Sequence, residues 1–205
     1  MSITFYAAPQ SSASPVTCAL SELGVPHERV TVNLARGEQR RPEYLALNPN
    51  GKVPLLVVNG TPLFEALAIL HWLGDRYGVE KSLWPAADSP ARLEALSWTT
   101  WGYVTFGYGL SRLMYATSDR VPKEMHNEAV AQAARAELHG LLGLLDTRLS
   151  ERPYLLGSAF SLADLILACV VNYGKLCGAP VDGHSKLQAW LERVLSRPSL
   201  QNPMA

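Results

Sequence analysis

The sequence predicts an α/β domain at the start of the chain, followed by an all-helical domain. Strand patterns alternate with helix patterns over residues 1–78, loop-forming residues interrupt them over residues 79–90, and only helical patterns follow over residues 91–205. With 205 residues and a hydrophobic content of 48%, the chain is long enough to bury a core in each domain. We therefore expect a linker at 79–90 between two domains.

The first part of the α/β domain is predicted to be strand, helix, strand. Residues 3–6 alternate apolar and polar side chains, as a half-buried strand does. Ser14 followed by Pro15 is typical of a helix start, because a hydroxyl can cap free amides and proline fits the first turn. Gly24 ends that helix, and residues 27–32 form the second predicted strand.

The second part is predicted to be a hairpin followed by a helix. Asn59-Gly60 suits the two positive-φ positions of a tight turn, so residues 54–58 and 61–64 should pair antiparallel. A short helix is expected before the hairpin, at 42–47, and a longer one after it, from Glu65 to about residue 77. The domain is thus βαβ followed by ββα.

The remaining sequence predicts four helical segments, at 91–117, 123–149, 161–175 and 186–195. The expected buried positions of the second segment are Ala129, Ala133, Ala136, Leu141, Leu145 and Leu149. The third segment begins with Ser161, which can cap the helix, and Asp164, which can reach back to it as a capping box does. We assign this capping box a structural role.

The segment around Val53-Pro54 is a candidate peptide-binding edge. Proline lacks an N–H, so Pro54 fits only the start or the edge of a strand, and it makes Val53 extended. If the bond between them is cis, the main-chain groups of Val53 face away from the sheet, where an extended peptide can pair with them. Glu65 and Ala66 then open a helix whose free amides favour a carboxylate. The alternative is an ordinary hairpin followed by a helix.

Residues 8–15, between the first strand and the first helix, are rich in hydroxyl groups. A thiol at a helix N-terminus ionises more easily, and a donated hydroxyl proton stabilises the thiolate. Ser11, Ser12 and Tyr6 are the hydroxyls within reach of that position. The competing interpretation is that the serines are only turn and capping residues.

Composition argues against several other classes of function. Lys plus Arg and Asp plus Glu number 18 each, so no net charge favours nucleic acid or anionic lipid as a partner. Cys18, Cys169 and Cys177 lack the spacing of a metal or redox motif, which fits reduced thiols in the cytoplasm. No segment is apolar over a bilayer-spanning length, so we expect no membrane association.

The order of these motifs resembles the soluble glutathione transferases over essentially the whole chain. The resemblance rests on the strand at 3–6, the serine-rich turn, Asn48-Pro49-Asn50-Gly51-Lys52-Val53-Pro54, Phe64-Glu65-Ala66 and Phe160-Ser161-Leu162-Ala163-Asp164. It implies an N-terminal thioredoxin-like domain that binds glutathione, and a C-terminal helical bundle domain that lines the electrophile site. The turn is similar to that of bacterial, serine-type members.

The resemblance also implies roles for individual residues. It makes Ser11 the catalytic hydroxyl, with Ser12 and Tyr6 as alternatives. The implied glutathione contacts are Gln39, Arg40, Lys52, Val53, Pro54, Glu65 and Ala66, and the implied electrophile pocket contains Trp101, Phe106 and Tyr108. Glutathione is the expected co-substrate, and no metal is expected.

Two departures from the family pattern bear on activity. Ala66 stands where a serine usually binds the γ-glutamyl carboxylate, which removes one hydroxyl contact. No cysteine occupies the turn at 8–15, so the mixed-disulfide chemistry of cysteine-type members is not expected.

We therefore expect a cytoplasmic, homodimeric glutathione transferase that attacks an apolar electrophile and serves in detoxification. One alternative is a transferase-like binding or structural protein without turnover, which the loss of serine at Ala66 favours. A glutathione-dependent isomerase is the other, although Ala13, Pro15 and Thr17 replace the accompanying Cys and Arg of the isomerase pattern.

Overall fold

The computed structural model describes residues 1–201, and these divide into two compact units. The first unit contains Met1–Trp84 and the last helix of the chain, α9 (Pro198–Gln201); the second unit is Pro85–Arg197. The sequence assigned the last helix to the helical domain at 91–205. The structure places it in the first unit instead, where it packs on the first helix and the Ser199 hydroxyl bonds Glu22.

A mixed sheet forms the centre of the first unit and confirms the predicted α/β fold. Its strands are β1 (Ile3–Ala7), β2 (Glu28–Thr31), β3 (Leu55–Val58) and β4 (Thr61–Phe64). They lie in the order β2-β1-β3-β4, and β1 pairs parallel with β2 but antiparallel with β3. The hairpin of β3 and β4 turns at Asn59-Gly60, where both residues have the positive φ that this turn requires.

The helices of this unit flank the sheet: α1 (Ser14–Leu23), α2 (Pro42–Leu45) and α3 (Ala66–Leu73), which continues as a π-helical turn over Gly74–Gly78. Short 3₁₀ turns at Leu34–Arg36 and Glu38–Arg40 precede α2. The predicted cap of α1 is wrong, because Ser14 is already helical and Ala13 holds the cap position without a side-chain bond. Pro15 lies in the first turn, and Gly24 ends the helix with a φ of 59°, as expected.

The second unit is helical, as the sequence predicts. Its helices are α4 (Pro90–Trp101), α5 (Gly107–Thr117), α6 (Glu128–Ser150), α7 (Leu162–Leu176) and α8 (Ser185–Leu195). The single helix expected at 91–117 is interrupted by a π-helical turn, Gly102–Phe106. Gly102 lies directly against Leu167 of α7, with no room for a Cβ, so close packing explains the glycine.

The predicted buried face of α6 is wrong in its first half. Ala131, Ala134 and Leu138 are buried, whereas Ala129, Ala133 and Ala136 are exposed; Leu145 and Leu149 are buried as expected. The helix begins at Glu128 rather than at residue 123, because the Asn127 side chain accepts the Val130 amide and caps it there. Alanine tolerates both environments, so the alanines did not mark the buried face.

The capping box at the start of α7 is confirmed. The carboxylate of Asp164 accepts the Ser161 amide at 2.9 Å and the Ser161 hydroxyl at 2.8 Å. It also accepts the Leu155 amide at 2.8 Å and the Trp190 indole N–H at 2.9 Å, which ties α8 and the preceding loop to this helix. Burial raises the pKa of Asp164, while these hydrogen bonds oppose that shift.

Candidate active site

The main chain of Val53 is the centre of the candidate site. Val53 precedes β3 and stands outside the sheet pairing, and its peptide bond to Pro54 is cis. The residue is only 7% exposed, yet within residues 1–201 its N–H makes no hydrogen bond. Its carbonyl accepts the Ser12 hydroxyl at 2.8 Å. Buried backbone donors are nearly always paired, so this N–H is available for a ligand.

The carbonyl of Lys52, one peptide unit earlier, is held by two side chains. The Tyr44 hydroxyl donates to it at 2.6 Å and the Asn48 amide at 2.7 Å. Burial raises the pKa of Tyr44 to about 12; the hydrogen bond with Asn48 opposes this shift and the nearby Tyr6 adds to it. Tyr44 is not among the site residues that the sequence predicts, because a separation of 8 residues along the chain gives no indication of this contact.

The serine-rich turn lies beside Val53, because Ser12 reaches it directly. Ser11 instead donates its hydroxyl to the Ala8 carbonyl at 2.7 Å and accepts the Ala13 amide at 3.2 Å, which fixes the turn before α1. Tyr6 is half-buried, and its ring meets that of Tyr44 edge-on at 5.9 Å. The three predicted hydroxyls therefore belong to one unit, but both serine protons are donated to backbone carbonyls.

The start of α3, which Glu65 precedes, is the second main-chain feature of the site. The pairing of Leu55 with Phe64 places Glu65 across from Pro54, and α3 begins at the next residue, Ala66. Glu65 has φ 71° and ψ 119°, a conformation that costs a non-glycine residue about 1–3 kcal/mol. Such strain is concentrated at functional sites, and here it lies directly before the first amides of an eight-residue helix.

The side chains predicted to contact the carboxylates of a bound peptide differ in exposure and in hydrogen bonding. Lys52 is exposed, and Arg40 is exposed with one nitrogen 3.4 Å from the Asn50 carbonyl. Gln39 donates its amide to the Leu34 carbonyl at 3.4 Å, and its side-chain oxygen is buried without a partner among the described residues. Gln39 therefore supports its own loop, whereas Lys52 and Arg40 present their charges to solvent.

The three residues predicted to line an electrophile pocket lie in different environments of the second unit. Trp101 is half-buried and borders an open groove of about 450 Å³, together with Leu96, Ser97, Thr100, Val104 and Thr105. Tyr108 is 64% exposed. Phe106 has no exposed surface and packs against Gly174, so the structure places it in the core rather than at a surface.

Other kinds of site find no support in residues 1–201. No group of three or more His, Cys, Asp or Glu side chains is arranged to hold a metal ion. None of the described helices is long and apolar enough to cross a membrane. Cys18 is buried in α1, and Cys169 and Cys177 are half-buried in the second unit.

The fold and this site define a class of protein, and comparison with known proteins identifies the family. The glutathione S-transferase N-terminal domain family matches residues 11–76, and the C-terminal domain family matches residues 111–198. The Escherichia coli protein named glutathione S-transferase GstB is 30% identical over 93% of this chain and 91% of its own length. The chain belongs to the glutathione S-transferase family.

Two further relatives extend this result. A disulfide-bond oxidoreductase of Escherichia coli, YfcG, is 28% identical over 96% of this chain and 92% of its own length. A glutathione transferase family member from Pseudomonas fluorescens, solved with two glutathione molecules bound, superposes with a TM-score of 0.81 at 25% identity, covering 98% of this chain and 91% of that one.

Proposed function

We infer that the protein is a glutathione transferase, which activates the glutathione thiol as a thiolate for attack on an apolar electrophile. The observation that carries this inference is the N–H of Val53, which makes no hydrogen bond within residues 1–201 and lies between the turn before α1 and the strained start of α3. An extended peptide paired with Val53 has one end near each helix N-terminus. Both ends favour negative charge, one as a thiolate and the other as a carboxylate.

The proposed glutathione contacts follow from these positions. Val53, before Pro54, pairs its N–H and C=O with the cysteinyl part of the peptide. The Ala66 amide and the start of α3, set by Glu65, bind the γ-glutamyl carboxylate. Lys52 and Arg40 supply positive charge for the carboxylates, with Gln39 supporting their loop. Because Ala66 has no hydroxyl, we expect glutathione to bind more weakly by about 0.5–1.5 kcal/mol than with serine there.

Ser11 is the proposed thiol-activating group, with Ser12 and Tyr6 as alternatives. Its hydroxyl must turn from the Ala8 carbonyl to donate to the sulfur. A charge-assisted hydrogen bond to a thiolate is stronger than the neutral bond it replaces, which favours this rotation once glutathione is present. Ser12 keeps its place on the Val53 carbonyl in this arrangement.

The location, oligomeric state, biological role and electrophile-binding residues of the protein are also part of this proposal. We expect a cytoplasmic homodimer that acts in detoxification, as the family resemblance implies. Trp101, which borders the open groove, is the foremost candidate among the electrophile-binding residues, together with the exposed Tyr108. Light scattering tests the dimer, and Trp101→Ala, assayed with several electrophiles, tests the pocket.

The decisive experiment combines calorimetry and turnover. Titration with glutathione at millimolar concentration should release or absorb heat and raise the melting temperature of the protein. Addition of an activated aryl halide should then give the glutathione conjugate at a rate proportional to protein concentration. An absence of both binding and conjugation would contradict the proposal.

A binding protein without turnover is the second candidate, and two observations favour it. Ala66 lacks the serine hydroxyl, and the hydroxyl protons of Ser11 and Ser12 are donated to backbone carbonyls. Heat on titration without conjugation of any electrophile would support this candidate. The similarity to YfcG adds disulfide reduction as an activity to assay alongside, although no cysteine lies in residues 8–15.

A further inference from the structure

Three side-chain donors hold the two carbonyl groups that flank the Val53 N–H. Tyr44 and Asn48 both donate to the Lys52 carbonyl, at 2.6 and 2.7 Å, and Ser12 donates to the Val53 carbonyl at 2.8 Å. We call Ser12, Tyr44 and Asn48 the carbonyl clamp.

The planarity of the peptide unit gives the clamp a consequence for ligand binding. The Lys52 carbonyl and the Val53 N–H belong to one planar unit, and in a trans unit they point in opposite directions. Two short hydrogen bonds to the carbonyl oxygen therefore also fix the direction of the N–H, on the side away from Tyr44 and Asn48. Ser12 fixes the Val53 carbonyl in the same way, and the oxygen of that carbonyl keeps a second lone pair for a ligand.

The clamp residues are themselves well supported. Tyr44 is 6% exposed and belongs to a buried cluster with Ala8, Val32, Val53 and Leu55. Asn48 is 2% exposed, and its side-chain oxygen accepts the Asn50 amide at 3.1 Å, which fixes which end of the amide faces Lys52. The donors are thus in place before any ligand arrives.

We propose that Tyr44 is a positioning residue for glutathione: through the Lys52 carbonyl, and together with Asn48, it aims the Val53 N–H at the peptide. Its hydroxyl lies at the edge of the peptide unit opposite the N–H, so it acts without touching the ligand. Preorganisation of this kind improves affinity by reducing the ordering that binding requires. This inference rests on the proposed function.

The test is Tyr44→Phe, which removes one donor and leaves the ring in place. The KM and the dissociation constant for glutathione should rise about three- to tenfold, as for one hydrogen bond. The kcat at saturating glutathione and the pH profile of the rate should change less than about twofold, because the thiol is activated elsewhere, at the turn before α1. Tyr77→Phe is the matched control, because it removes a hydroxyl of the same unit that bonds the Met1 sulfur instead.

Each outcome bears on the inference. If Tyr44→Phe lowers the melting temperature but leaves the KM and the dissociation constant for glutathione unchanged, Tyr44 is only structural and the inference is overturned. A wild-type protein that does not bind glutathione overturns the proposed function as well. Should Tyr44→Phe fail to fold, Asn48→Ala is the second variant, because it removes the other donor to the Lys52 carbonyl. Asn48→Ala should raise the KM for glutathione more than it lowers kcat, and an unchanged KM overturns the inference.

Discussion

Ser11 holds its hydroxyl within its own turn, donating to the Ala8 carbonyl and accepting the Ala13 amide. Releasing that proton to a thiol costs about 1 kcal/mol, and the charge-assisted bond to the thiolate offsets it. We predict that Ser11→Ala lowers kcat/KM for conjugation by about 10²-fold, because the thiolate loses its donor. The measurement is the conjugation rate as a function of pH, which should also show a higher apparent pKa for the bound thiol.

Tyr6→Phe and Ser12→Ala are the comparison variants for this prediction. Each removes one of the other hydroxyls near the turn and leaves Ser11 in place. If Ser11→Ala conjugates at the wild-type rate while Tyr6→Phe or Ser12→Ala loses most of its conjugation rate, the catalytic role belongs to Tyr6 or Ser12 instead.

The strain at Glu65 leads to a prediction that separates stability from function. Glycine adopts a positive φ without the strain that a side chain adds, but it also gives the unfolded chain more conformational entropy. The strain relief is the larger effect, so Glu65→Gly should stabilise the protein by about 1 kcal/mol. The affinity for glutathione should fall, because the start of α3 loses its fixed direction. Thermal denaturation and calorimetry measure the two effects.

Ser82 provides the matched control for Glu65. It also has a positive φ, 57°, but it lies on the exposed loop before Trp84 and does not precede α3. Ser82→Gly should stabilise the protein in the same way and leave glutathione affinity unchanged. A melting temperature of Glu65→Gly below that of the wild type would show that the conformation carries no strain.

The raised pKa of Tyr44 predicts a specific loss of stability in alkali. Burial raises the pKa of Tyr44 to about 12, above the value near 10 for an unfolded chain. The stability that the protonated Tyr44 hydroxyl contributes is therefore fully present below about pH 10 and is lost as the pH rises through about 12. From pH 8 to pH 11 the wild type should lose about 1.4 kcal/mol more free energy of unfolding than Tyr44→Phe. Urea titrations at the two pH values test this, and equal losses would contradict it.

At the scale of elements, Asp164 joins three segments of the second unit. Its fully buried carboxylate accepts four donors, from Leu155, Ser161 and Trp190. Asp164→Ala should lower the free energy of unfolding by at least about 3 kcal/mol, because it strands those donors in the core. Urea denaturation measures the loss.

Asp146 is the control for Asp164. It lies on α6, and its carboxylate accepts the Leu187 amide, near the start of α8, at 2.8 Å. Asp146→Ala should cost about 1 kcal/mol, as for the loss of a helix cap. Equal losses for the two variants would mean that the additional bonds of Asp164 contribute little.

The elements also show which parts of the fold can be predicted from local sequence. Asn59-Gly60 and the Ser161–Asp164 box were predicted correctly, because their chemistry is contained within a few residues. The face of α6 and the interruption at Gly102 were not, because alanine fits either side of a helix and the tight contact at Gly102 is made by Leu167 from α7.

At the scale of the whole molecule, some features of the site can be predicted from local sequence and others depend on tertiary contacts. Val53 and Glu65 were predicted as site residues because proline and a helix start constrain the backbone next to them. The donation from Tyr44 to the Lys52 carbonyl could not be predicted, since it depends on how α2 folds back over the loop before β3. The site therefore combines locally encoded backbone features with side-chain contacts that only the tertiary structure creates.

The path of the chain makes the first unit discontinuous in sequence, and this predicts a long-range effect of the last helix. Leu200 of α9 is 8% exposed, and α9 packs on α1, almost the full length of the chain away. Leu200→Ala should destabilise the first unit by about 2–3 kcal/mol, because it removes buried apolar volume. Hydrogen exchange should therefore accelerate in α1 but not in α6. Leu176→Ala, at a position 78% exposed, is the control and should leave both helices unchanged. Faster exchange in α6 and unchanged exchange in α1 would show that the last helix stabilises the second unit instead.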